Sequence, residues 1–170
     1  MKVDIGPPPP SSMSILVRQA IDDDRPIVLE MVSHFLRDTG YGGLFGAEAL
    51  DGAGKLFYTA LRYGGVAIAG ALLTPMPGAR ADQVPVGFVA WVALTHPLAG
   101  MPYLDELAWW VEPAARGAGA GEALLTYMEE WARREGLHLV KMVAPAGTEV
   151  GKLYERRGYA AVETAYQKRL

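Results

Sequence analysis

Hydrophobic positions change their spacing several times along the chain, and each change marks an element. "SILVRQAI" (14–21) is rich in aliphatic residues and reads as a strand. In "DDDRPIVLEMVSHFLRD", Ile27, Val28, Met31, Val32, Phe35 and Leu36 recur at helical spacing. Asp22 or Asp23 caps that helix, and Pro26 fits its first turn. "TGYGGLFG" breaks it. A second helix is expected over Ala47–Tyr63, with Leu56, Phe57, Ala60 and Leu61 as its apolar side, although Gly52 and Gly54 fall inside it. "GVAIAGALLT" (65–74) and "QVPVGFVAWVAL" (83–94) read as strands joined by the turn-rich "PMPGARAD". After the loop "THPLAGMP" comes a strand, "YLDELAWWV" (103–111), closed by Glu112-Pro113.

A long amphipathic helix is expected from Gly121 to about Glu135. Leu124, Leu125, Met128, Trp131 and Ala132 line one face. Glu129–Arg133 and Glu130–Arg134 form favourably oriented i,i+4 pairs on the other, and Gly136 is a natural stop. The strand "LHLVKMVA" (137–144), a short helix in "GTEVGKLYERRG" (147–158) and one or two closing strands in "YAAVETAYQKRL" (159–170) complete the pattern. The order β-α-α-β-β-β-α-β-α-β predicts an α/β fold: a mixed, largely antiparallel sheet with one βαβ crossover.

Composition narrows the function classes. A chain of 170 residues, 51% hydrophobic and 21% charged, suits one folded domain, expected over 14–170. Residues 1–13, with four consecutive prolines, are expected to be a flexible leader, with Met13 an alternative start. A net charge of −3 gives no support for a nucleic-acid partner. The longest apolar runs are too short to span a bilayer and the N-terminus lacks a signal-peptide core, so a cytoplasmic protein without a membrane partner is expected. The absence of cysteine excludes disulfides, thiolate metal sites and a cysteinyl intermediate. His34, His96 and His138 have no metal-ligand spacing, so no metal is expected; His34 and His96 are candidates to line a substrate cleft.

The glycines of "RGAGAG", Arg116 to Gly121, stand between a strand and the start of a helix. Unpaired N–H groups and the positive end of the helix dipole gather there, which favours an anion such as phosphate. Small residues at Gly117, Ala118, Gly119, Ala120 and Gly121 would let a diphosphate approach those amides. The spacing does not match the dinucleotide fingerprint G-x-G-x-x-G, because Glu122 or Leu124 stands where its last glycine belongs, and no Walker string is present.

"VEPAARGAGAG" resembles the acetyl-CoA loop, V-x-P-x-x-R-G-x-G-x-G, of the GNAT superfamily of N-acetyltransferases. "LYERRGY" is similar to the L-Y-E-[KR]-x-G-[FY] ending of many members, and the likeness runs over Tyr103–Leu170. "ELAWWV" and "VETAYQKRL" resemble a subgroup found in phage and prophage genomes. The resemblance implies a GNAT-like fold, with the sheet splayed between the strand at 103–111 and that at 138–143. It implies direct transfer of acetyl from acetyl-CoA to a primary amine of a small molecule or a protein. Homodimers are common among such relatives.

The resemblance also implies residue roles. The diphosphate rests on the Arg116–Gly121 loop, and the pantetheine arm runs along Trp109, Trp110 and Val111. The Val111 N–H polarises the thioester carbonyl. Tyr154 is the general acid toward sulfur. Glu106 or Asp105 is the base, with Glu106 preferred; adjacent strand residues face opposite sides, so one of the two reaches the cleft. Relatives often carry Asn seven residues before the tyrosine, where this chain has Gly147, with Thr148 or Glu149 as replacements. The alternative is a non-catalytic acyl-CoA-binding or regulatory module of the same fold.

Overall fold

The computed structural model describes residues 14–46, 48–72 and 83–168. The proline-rich leader and the "PMPGARAD" turn lie outside the described residues. The elements run β1 (Ile15–Gln19), α1 (Arg25–Asp38), α2 (Tyr41–Phe45), α3 (Ala49–Tyr63), β2 (Gly64–Leu72), β3 (Gln83–Thr95), β4 (Pro102–Val111), α4 (Ala120–Arg134), β5 (Leu139–Lys141) and α5 (Val150–Arg156). The strands lie in chain order, β1-β2-β3-β4-β5. The first three pairings are antiparallel and β4–β5 is parallel, joined across α4. This is the mixed α/β sheet that the hydrophobic pattern predicts.

Two apolar layers sandwich the sheet. On one face α4 buries Leu124, Leu125, Met128 and Ala132 against Ala67, Val89, Trp91, Leu104 and Val111, and α5 adds Tyr154. On the other, α1 supplies Val28, Met31 and Val32 and α3 supplies Phe57 and Ala60, packed on Val66, Ile68, Phe88 and Trp110. β2 is buried along nearly all its length, which explains why its sequence runs apolar without alternation.

Several expectations need correction. "TGYGGLFG" does end α1, at Asp38, but it also contains the short helix α2, where Tyr41 stacks on Phe45 and packs against Phe35. On α3, Leu56 is exposed and Gly54 is buried instead, because the Arg25 guanidinium lies where a Cβ at Gly54 would be. Glu129 and Arg133 do come together at 3.6 Å, but no Glu130–Arg134 bridge forms among the described residues. β5 is three residues long, much shorter than the apolar run 137–144.

Residues 159–168 form no strand. Val162 and Tyr166 stay 86% and 92% exposed, so no apolar burial offsets the entropy of ordering a strand there. Their side-chain link to the sheet is Glu163 to Lys141 at 3.0 Å.

Candidate active site

The site is built where β4 and β5 part. The parallel pair holds only from Tyr103 opposite Leu139 to Asp105 opposite Lys141. Beyond it, β4 continues to Val111 with no strand on that side among the described residues. Glu106 stands at the point of separation. Its Oε2 accepts a hydrogen bond from the Val143 N–H at 3.2 Å. The Tyr154 hydroxyl donates to the Val143 carbonyl at 3.3 Å. Two residues 48 positions apart in sequence therefore meet on one residue of the diverging chain.

A β-bulge decides which β4 side chains share this site. Ala90 pairs with Ala108 but Trp91 pairs with Glu106, so Leu107 is the extra residue. Strict alternation would put Glu106 on the face of Ala108 and Trp110. The bulge resets the phase. Leu107, Ala108 and Trp110 pack on the α1–α3 side, while Trp109 and Val111 pack on the α4–α5 side. Glu106 lies opposite Trp91, a residue of that second layer, so it shares a face with Trp109 and Tyr154. The Trp109 and Tyr154 rings lie 5.9 Å apart. Asp105 falls on the other phase, with Lys141 and Glu163 as its charged neighbours.

Burial sets the electrostatics. Glu106 is 9% exposed, and desolvation pushes its carboxyl up to about 7, partly offset by the Val143 N–H and assisted by the Asp105 charge. Tyr154 is pushed well above the ordinary tyrosine range, first by burial and then by Glu106 and Tyr159. At neutral pH the phenol is thus protonated while the carboxyl is balanced between its two forms.

The glycine loop meets the site from the other end of β4. Gly117 and Gly119 have φ of +81° and +88°, and a Cβ at either would point into open space. Gly119 is the N-cap of α4, no side chain caps that end, and the first bond is from the Ala123 N–H to the Gly119 carbonyl at 3.0 Å. The amides of Ala120, Gly121 and Glu122 precede that bond and have no intrahelical acceptor. Ala120 is fully buried, backbone included, so the residues of this end that reach the surface are Gly121 and Glu122. Gly121 serves packing: a Cβ there would lie 2.8 Å from Trp109 Cζ2. Ala118 is half-buried in the turn between.

Arg116 binds back to β4. Its Nε donates to the Val111 carbonyl at 3.0 Å and its guanidinium covers the Trp110 ring at 4.6 Å. The Glu112 N–H donates to the Val86 carbonyl at 2.9 Å, so that pair is hydrogen-bonded and Gly87–Val111, the next one in, is not. The Val111 N–H and carbonyl consequently point away from β3, toward the side that β5 has left.

The remaining candidates lie at the margins. His34 Nδ1 pairs with Glu112 Oε1 at 2.8 Å, tying α1 to the end of β4. His96 Nδ1 accepts from the Leu98 and Ala99 amides and shapes its own turn. Gly147 has φ of +75° and a Cβ there would meet nothing. Thr148 is turned to the Pro145 carbonyl and Glu149 to Lys152, so both are engaged locally. Val143 was not legible as a site residue, since its role is played by its main chain. Among the described residues no three His, Asp or Glu side chains gather as a metal site.

A splayed mixed sheet with an uncapped glycine turn at the helix after β4 defines an acyltransferase fold of the GNAT type. The chain belongs to the acetyltransferase (GNAT) family, whose model matches residues 37–159. Solved structures agree on the fold. AAC(6')-Iy, in complex with the bisubstrate analogue CoA-S-monomethyl-acetylneamine, superposes with a TM-score of 0.63 at 19% identity, covering 92% of this chain and 99% of that one. The ribosomal-protein-alanine N-acetyltransferase from Brucella melitensis biovar Abortus 2308 gives 0.66 at 21%, again over 92% and 99%. The GCN5-related N-acetyltransferase from Ralstonia eutropha JMP134 gives 0.68 at 20%, over the same shares. No curated protein matches the sequence. Among the described residues no helix is long and apolar enough to cross a membrane.

Proposed function

We propose that this protein is an N-acetyltransferase that uses acetyl-CoA and delivers acetyl directly to a primary amine. The observation that carries this reading is the meeting of a buried carboxyl and a buried phenol on Val143, at the mouth of the β4–β5 splay.

The residues fit the cosubstrate. Uncapped amides at Gly121 and Glu122, with open space over Gly117 and Gly119, suit a diphosphate, and Arg116, bound to the Val111 carbonyl, fixes the start of that turn. The Trp109–Val111 edge of β4 suits a pantetheine arm. When bound, acetyl-CoA supplies an activated acyl thioester.

The chain's own groups supply the rest. The Val111 N–H donates to the acyl oxygen as charge grows on it. Glu106 takes a proton from the incoming ammonium or its hydrating water, because only the free amine has a lone pair to attack with. A carboxyl poised near 7 is suited to that task at neutral pH. Tyr154 offers its proton to the departing sulfur. Its bond to Val143 is long and easily exchanged for a new acceptor. Its raised pKa makes it chiefly a hydrogen-bond donor that steadies the thiolate.

The test is acetyl-CoA consumption against an amine panel that includes neamine and a peptide beginning with alanine, groups named in two of the fold relatives. Turnover by the native protein, and a marked fall in Tyr154→Phe with coenzyme A binding retained, is the expected result. Binding without turnover on any amine would favour a non-catalytic acyl-CoA module.

A further inference from the structure

The short helix that carries Tyr154 is anchored by a carboxylate on α4. The Glu129 side chain is largely buried and accepts three hydrogen bonds: Arg157 Nε at 3.2 Å, Arg157 Nη2 at 3.0 Å and the Tyr159 hydroxyl at 2.9 Å. Arg157 Nη2 also donates to Thr126 Oγ1 at 3.1 Å, and Arg133 approaches Glu129 at 3.6 Å. The donors Arg157 and Tyr159 belong to the C-terminal cap of α5.

That cap leads directly to Tyr154. Gly158 turns the chain at φ of +90°, the Gly158 N–H donates to Glu155, and the Tyr159 N–H donates to the Tyr154 carbonyl at 3.0 Å. The Arg157 N–H reaches the same carbonyl at 2.9 Å. The Tyr159 ring packs on the Tyr154 ring with centroids 5.6 Å apart. Tyr159 thus holds Tyr154 by main chain and ring at one end and is held by Glu129 at the other. α5 has only seven residues, too few for a helix to place itself, so its position must come from outside contacts. Apolar packing of Val150, Leu153 and the Tyr154 ring presses α5 onto the core, but such packing is not directional. A carboxylate gripping a guanidinium through two nitrogens does set an orientation, because charge-assisted bonds of this kind are directional.

We propose that Glu129 is a positioning residue for Tyr154, setting through Arg157 and Tyr159 where the phenol hydroxyl stands at the β4–β5 splay. The proposal rests on the reading of Tyr154 as the group that faces the departing sulfur.

The test uses the full chain with Glu129→Ala, and with Glu129→Gln, which keeps an acceptor oxygen but loses the charge. The first readout needs no turnover. Alkaline titration of tyrosinate absorbance, with the matching Tyr154→Phe double variant subtracted, isolates Tyr154. We expect Tyr154 to stay un-ionised up to the alkaline limit of the folded native protein and to ionise below that limit in Glu129→Ala, with Glu129→Gln between. Ionisation of Tyr154 that starts no earlier in Glu129→Ala than in the native protein overturns the proposal.

The second readout is turnover of acetyl-CoA with the best amine of the panel. Glu129→Ala is expected to lower kcat about tenfold, the scale of a misplaced group, with the KM for acetyl-CoA nearly unchanged. In the Tyr154→Phe background the same change should cost nothing more. An equal loss in both backgrounds would make Glu129 a simple strut and overturn the proposal. If Glu129→Ala fails to fold, Glu129→Gln and Tyr159→Phe carry both readouts. A native protein that turns over no amine would sink the acetyltransferase reading, while the titration still decides the placement of Tyr154.

Discussion

Glu106 and Tyr154 meet on opposite sides of Val143, one taking its N–H at 3.2 Å and the other giving to its carbonyl at 3.3 Å. A group that accepts protons and a group that donates them are thereby held at one point of the sheet, and neither contact is short. Each residue can exchange its partner on Val143 for a reactant without breaking a strong bond.

A base with its carboxyl pushed up to about 7 would give an acid limb to the pH profile of the proposed reaction. If Glu106 is the base, kcat/KM should rise with pH through about 7 and level off above it. Glu106→Gln should remove that limb and lower kcat by roughly a hundredfold, the lower end of general-base effects. A limb that persists in the glutamine variant would assign the base elsewhere.

The same residue makes a prediction about stability. Its folded pKa lies above the ordinary value of 4.5, so the folded state binds more protons between those values, and stability falls as pH rises from 4.5 to about 7. Above that window the native protein carries a penalty of roughly 3 kcal/mol from the buried charge. Glu106→Gln should therefore gain stability relative to native as pH goes from 5 to 8. Urea denaturation at those two pH values measures it, and an equal difference at both would contradict the buried-charge assignment.

Tyr154→Phe removes a hydroxyl whose one protein partner is distant. The loss in stability should stay at or below about 1 kcal/mol. The loss in kcat should be about tenfold to a hundredfold, with the KM for acetyl-CoA little changed. Thermal melts and steady-state kinetics separate the two effects.

Gly119→Asp puts a side chain at φ of +88° and a negative charge at the open end of α4. Backbone strain should cost about 1–2 kcal/mol. The protein should still fold but lose the thermal shift produced by coenzyme A. Retained affinity would show that the diphosphate does not sit on this turn.

Gly121→Val tests a different use of glycine. A Cβ at this position would lie 2.8 Å from Trp109 Cζ2, so the helix must move off the sheet or the indole must turn. Destabilisation of about 1–3 kcal/mol is expected from overpacking, even without ligand. Chemical denaturation gives the answer directly.

Much of this protein is decided within short stretches of its chain. The apolar stripes of α1 and α4, the fully apolar β2 and the glycine turn before α4 follow from spacing and residue type, because those are properties of a few neighbouring residues. Tyr154 and the pair Asp105 and Glu106 are singled out by the family resemblance, through "LYERRGY" and the acidic pair before the tryptophans, and not by spacing. The tertiary structure alone decided the rest. The bulge at Leu107 placed Glu106 rather than Asp105 on the face of Tyr154, and strict alternation hides such a phase change. Glu129 found Arg157 and Tyr159 just past the end of a distant helix, where the local pattern offers only Arg133. Residues 159–168 kept a strand-like sequence without a strand. The physical reason is common to all three. Pairing register, long-range ion pairs and the shape of a sheet edge are set by groups far apart in sequence, whose energies exist only once the chain has brought them together.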